Sequence, residues 1–188
     1  MSSNTHLIIG HGGNDHVTAD DFRHLIGSIF DNGKYVIPEG TNFKIDVVSN
    51  NEITIGTGAI IMNGTYIRVE SSENIRIDNG VQSSKRNDLI VLRYTIDKST
   101  KIEDANVVVI KGTQTTSTPA DPSYNNVSVM NGDTTVDIPL YRIPLDGLNI
   151  QTPVKLFNLY DSGYHKTFIV DKLPSNLGPD GTIYLVKE

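Results

Sequence analysis

The sequence predicts a mainly β protein: an antiparallel sandwich or barrel-like body, preceded by an extended N-terminal arm and one short amphipathic helix. Three observations carry this reading. Residues 18–30 are the only stretch with a convincing 3.6-residue apolar period. From residue 34 onward the period changes to two. Six tight-turn dipeptides punctuate the chain, Asn-Gly at 32, 63, 79 and 131 and Asp-Gly at 146 and 180, and these residues tolerate the positive φ that hairpin turns require.

Residues 1–17 hold Gly10, Gly12, Gly13, Asn14 and Asp15, which read as an extended arm or loop. In the helix, Thr18 is a good N-cap and Asp21 stands where a capping-box acid belongs. Phe22, Leu25, Ile26, Ile29 and Phe30 fall on one face, and Asp31, Asn32 and Gly33 end the helix. Tyr35-Val36-Ile37, Phe43 to Val47 and Ile53 to Ile55 then read as short strands. Ala59–Met62 and Thr65–Val69 flank Asn63-Gly64 and predict a hairpin, and Asn79-Gly80 after Ile75 and Ile77 predicts a second turn. Asp88–Ile96 and Ala105–Ile110 are nearly continuous apolar runs, which belong in the middle of a sandwich or barrel. Residues 112–137 form a long Thr/Ser/Asn/Pro-rich passage, of the kind that is functional, ordered by a partner, or mobile. Ile138–Leu145 carries two prolines and predicts an edge or bent strand. Shorter apolar pieces come at Leu156-Phe157, Phe168–Val170 and Ile183–Val186, with a linker at Leu173–Gly181. The organisation is therefore an arm and helix (1–33), a main β domain (34–150) and a C-terminal extension or connector (151–188).

Composition narrows the function. A formal charge of −6 without a basic block argues against binding a phosphate backbone. The absence of cysteine excludes disulfides, thiolate metal sites and thiol nucleophiles. Met1–Gly13 lacks the charged and apolar regions of a signal peptide, and the longest apolar runs, about four or five residues, fall far short of the ~20 that span a bilayer.

Chemistry is sparse. His6, His11 and His16 are spaced five apart, which is neither a helical nor a tight-loop metal spacing, so solvated imidazoles on an arm are the better reading and no metal is expected. His24 reads as a surface or cap position on the helix, and His165 as a lone imidazole in a late polar segment. Gly56-Thr57-Gly58 is a turn rather than a phosphate cradle, and the acid pairs Glu70/Glu73 and Glu103/Asp104 read as solvated turns rather than a glycosidase dyad. No catalytic residue and no cofactor site is assigned, and an enzyme is not expected. Arg86 and Asp88 share one strand face and predict a local ion pair closing a strand end; Arg93 within the same run must snorkel or pair. Tyr94, Tyr124, Tyr141 and Tyr160 are either a saccharide-stacking platform or core-edge residues.

An ordered set of segments resembles a family of tail proteins of phages and prophages of Gram-positive hosts. The set comprises His16-Val-Thr-Ala-Asp-Asp21, Gly33–Gly40, Val48–Asn51 with Ile60–Gly64, Lys85–Val91 with Arg93-Tyr94, Val109–Thr113 and Ile138–Ile143. The likeness covers residues 14–150. It implies a virion structural protein of the tail tip or baseplate, made in the bacterial cytoplasm, that scaffolds or anchors the host-receptor-binding parts. Its implied partners are copies of itself, as a homotrimer, and other tail or baseplate proteins, with no nucleic acid and no membrane. The alternative is a carbohydrate-binding adhesin module that recognises host cell-wall saccharide through the tyrosines and the 112–137 passage. The apolar helix face, Phe22, Leu25, Ile26 and Ile29, is the candidate oligomer interface.

Overall fold

The computed structural model describes residues 18–30, 32–160, 167–175 and 183–187. The arm with its three histidines, His165 and the Asp180-Gly181 turn lie outside these residues.

Helix α1 runs Ala19–Ile29. The capping box forms as the sequence requires: the Asp21 amide donates to the Thr18 Oγ1 at 3.2 Å, and the Thr18 amide donates to the Asp21 carboxylate at 2.8 Å. At the other end Asn32 takes φ +50 and its amide donates to the Gly27 carbonyl at 2.9 Å, closing the last turn.

Three antiparallel sheets build the body. The first is β1 (Lys34–Ile37), β4 (Gly58–Met62) and β5 (Thr65–Val69), with β4 central. The second is β2 (Ile45–Ser49), β3 (Glu52–Ile55) and β6 (Glu73–Arg76), with β3 central. The third holds the long strands β7 (Lys85–Ile96), β8 (Glu103–Ile110) and β9 (Thr135–Asp146), extended by the short β10 (Asn149–Ile150) and β11 (Val154–Lys155). The mainly β, antiparallel, barrel-like architecture expected from period and turn density is what folds. Asn63 (φ +48) and Gly64 (φ +82) make the β4–β5 hairpin, and Gly147 (φ +58) turns β9 into β10. Asn79-Gly80 makes no hairpin. Gly80 is needed there because a Cβ would sit 1.8 Å from the Gly147 carbonyl oxygen.

One apolar core joins the sheets. Val36 of β1, Ile53 and Ile55 of β3, Ile60 and Met62 of β4, Ile90 and Leu92 of β7 and Leu140 and Ile143 of β9 are all fully buried within it. Strand β7 is the spine: β8 pairs along one edge from Leu89↔Ile110 to Ile96↔Glu103, and β9 along the other. The two-proline run is therefore not an edge strand. It bends, however: the register slips between Ile90 and Val91 so that Leu140 is skipped next to Pro139. Its prolines are tolerated because the outer side of β9 is paired only over the two-residue stretches of β10 and β11.

Segment 151–160, the start of the C-terminal extension, packs with the body. Strand β11 lies on β9, Phe157 enters the core, and the Tyr160 amide donates to the Val36 carbonyl at 2.6 Å. Beyond it, β12 (Thr167–Val170) and β13 (Ile183–Val186) pair in parallel on either side of the predicted linker.

Candidate functional site

Which side α1 turns toward the body decides what its surface can do. Arg23 and Gly27 are buried, while Phe22 (52% exposed), Leu25 (40%) and Ile29 (64%) point outward; Ile26 is half-buried. Of the four interface candidates, three thus lie on an open apolar face and the fourth at its margin. The orientation has a polar cause. Arg23 reaches inward and donates from Nε to the Thr65 Oγ1 of β5 at 3.1 Å, and from its Nη atoms to Asp20 at 2.6 Å, to Tyr94 Oη of β7 at 3.4 Å and to Glu103 at the start of β8. Burial alone would lower the guanidinium pKa; the bonds to Glu103 and Asp20 outweigh it and the pKa is raised. Gly64 lets the β4–β5 turn meet the helix, since a Cβ there would lie 2.1 Å from the Arg23 carbonyl oxygen. Glu103 is accordingly not part of a solvated turn. It is the carboxylate that locks the helix down, a pairing between residues 80 apart that local pattern does not reveal.

The long passage after β8 is strapped onto the third sheet by backbone and side-chain bonds. Lys85 and Thr115 exchange backbone hydrogen bonds at 2.7 and 2.8 Å. Asp121 takes the Arg142 fork and the Asn87 amide (2.8 Å). The fully buried Asp137 accepts from Arg93 at 2.7 and 2.9 Å and from the Asn125 amide at 2.9 Å. Arg93 therefore pairs, as a charge within an apolar run must.

Two grooves flank this strap. One, of about 600 Å³, runs past Lys85, Asn87, Asp121, Arg142 and Asp146. The other, of about 520 Å³, lies between β1, the bulge of β9 and segment 156–160, and is lined by Lys34, Tyr35, Asn126, Phe157, Asn158 and Tyr160. Tyr160 is clustered with Phe30 (ring centres 4.8 Å apart) and Tyr35 (5.1 Å). The four tyrosines picked out by sequence do not form one platform. Tyr94 is buried beside Arg23, Tyr141 is buried against Phe157, Tyr124 lies on the strap, and only Tyr160 lines this groove. Tyr35, which composition alone does not single out, joins it there. Among the described residues no group of three or more His, Cys, Asp or Glu stands close enough to hold a metal ion.

No protein-family model matches the chain, and no curated protein matches it.

Proposed function

We propose that this chain is a structural protein of a bacteriophage tail tip or baseplate, acting as one copy of a homo-oligomer that anchors the host-attachment parts. The observation that carries the reading is the outward apolar face of α1. The helix is capped, clamped by Arg23 and fixed in position, yet presents Phe22, Leu25 and Ile29 to solvent. Each Å² of such surface gains about 25 cal/mol when covered. A body that has closed its own core and holds an apolar ridge rigidly outside it is built to be covered by another subunit. The ordered segments that resemble phage tail proteins add the setting.

The mechanism is mechanical. The β body transmits load through the β7–β9 ladder and its buried ion pairs. The helix is the docking ridge, and the β12–β13 ribbon is the attachment point for the host-binding parts. That ribbon exposes Ile169 (70%) and Leu185 (53%), and a two-stranded pair is marginal alone, so it too suits an assembly. Sedimentation velocity on the full chain tests the reading. The expected species has three times the 20.6 kDa chain mass. A strict monomer at high concentration overturns it.

A further inference from the structure

Beyond assembly, we infer that the groove between β1, the β9 bulge and segment 156–160 binds a neutral saccharide. It brings together an aromatic wall (Tyr35 and Tyr160), two amide side chains (Asn126 and Asn158) and one ammonium (Lys34).

The chemistry of the lining selects the ligand. The apolar C–H face of a pyranose needs an aromatic surface, and its hydroxyls need donors and acceptors side by side, which an amide provides in one group. Among the described residues, Lys34 is the only charged side chain in the lining. Its ammonium already donates to Asn126 Oδ1 at 3.2 Å and to the Asp137 carbonyl at 3.1 Å. Lys34 therefore holds Asn126 in orientation as a positioning residue. The lining has no carboxylate among the described residues to take a cation, and its one spent ammonium is a poor match for a polyanion. Burial lowers the Lys34 pKa, with Asp137 opposing, consistent with an amine drawn into the wall.

The groove is also preformed. Val36 bridges Leu159 in parallel, the Tyr160 amide is bonded to Val36, and the Leu156 amide donates to the Leu140 carbonyl at 3.0 Å, at the bulge. At about 520 Å³ it falls in the ~300–1,000 Å³ range of small-ligand sites. The larger groove is the weaker candidate. Its lining has no aromatic ring among the described residues, and its charges are spent on each other, Arg142 on Asp121 and Lys85 on Asp146.

The test is an amide NMR titration of the full chain with neutral tetrasaccharides of glucose, galactose, rhamnose and N-acetylglucosamine at millimolar concentration. At least one is expected to shift the amides of residues 34–36, 126 and 156–160. Asn158→Ala, an exposed change, and Tyr35→Ala should each weaken that binding about tenfold, the scale of one lost stacking face or hydrogen-bonded pair. Arg142→Ala, in the other groove, should leave it unchanged. The inference is overturned if none of the sugars moves these amides, if the shifts gather around Asp121 and Arg142, or if both groove variants bind like the parent. A monomer that binds sugar would sink the assembly reading and leave this one standing; a trimer that binds none would do the reverse.

Discussion

Arg86 and Asp88, two residues apart on β7, form a forked ion pair in which both side chains are 1% exposed, with Nε–Oδ1 at 2.9 Å and Nη2–Oδ2 at 3.0 Å. The guanidinium also takes the Asn79 and Asp78 carbonyls, and Asp88 accepts the Gly112 amide at 2.9 Å. One pair therefore pins the loop before β7 and the strap after β8 to the same strand end. Removing one member strands a buried charge. Arg86→Met should cost about 3–5 kcal/mol, and the double change Arg86→Met/Asp88→Leu clearly less than the two single changes together. Urea unfolding of the four proteins measures this; a single-variant cost under ~1 kcal/mol would refute the buried clamp.

The apolar ridge of α1 should separate assembly from stability. Phe22→Gln, Leu25→Gln and Ile29→Gln together keep good helix formers at exposed positions, so the isolated fold should change by no more than ~0.5 kcal/mol per site. Sedimentation should shift to the monomer. Persistence of the parent oligomer would move the interface elsewhere.

The attachment of α1 to the body should depend on Arg23. Arg23→Met leaves Glu103 without its partner and removes the link to Thr65. Amide exchange over residues 19–29 should speed up by at least tenfold while β7 and β9 stay protected. Gly64→Ala should act in the same direction, because φ is +82 and the new Cβ would collide with the Arg23 carbonyl. Equal exchange throughout the chain would show that the helix and the body open as one unit.

Tyr94 sets an alkaline limit. Burial pushes its phenol up to about 12 from 10.0, with the nearby Arg23 opposing and Glu103 adding to the rise. The unfolded chain releases this proton first, so the contribution to stability is complete below pH ~10 and is lost as pH rises toward the folded value. An ultraviolet tyrosinate titration should show Tyr94 ionising last, and Tyr94→Phe should remove that step. A titration curve whose final step survives the substitution would assign it to another tyrosine.

Asp121 gives the opposite sign. Its bond to Arg142 holds its pKa below the ordinary 3.8; burial opposes this, and the bond to Asn87 adds to the fall. The native state keeps the charge while the unfolded chain takes up a proton. The stabilisation is therefore full above pH ~4 and fades as pH falls through the depressed folded value. The stability gap between the parent and Asp121→Asn should stay level from neutral pH to about 5 and narrow in stronger acid. A level gap at all acidic pH would show that the Asp121 charge contributes nothing. The pair is partly exposed, so the gap itself should be small.

Much of the fold was legible because it rests on short-range rules. The Thr18–Asp21 box, the Asn63-Gly64 hairpin and the apolar runs at 88–96 and 105–110 are each written within a dozen residues. The Arg86–Asp88 pair was legible too, since the two-residue strand period puts both on one face. The role of Glu103 was hidden because its partner lies in α1. The bend of β9 rather than an edge position, and the return of segment 156–160 to β1, depend on which strands find each other. Of the groove, Tyr160 and the strap were visible as types; the roles of Lys34, Tyr35 and Asn158 were not, because β1 meets segment 156–160 only through the long-range Val36–Leu159 bridge.

By itself the sequence determined the mainly β class, the one N-terminal helix and its apolar stripe, since period and turn residues act through neighbours a few positions away. Tertiary structure alone decided which way that stripe faces. Arg23 meets Glu103 only once β8 has paired with β7, and that buried, multiply bonded guanidinium turns the polar side inward and leaves Phe22, Leu25 and Ile29 outside.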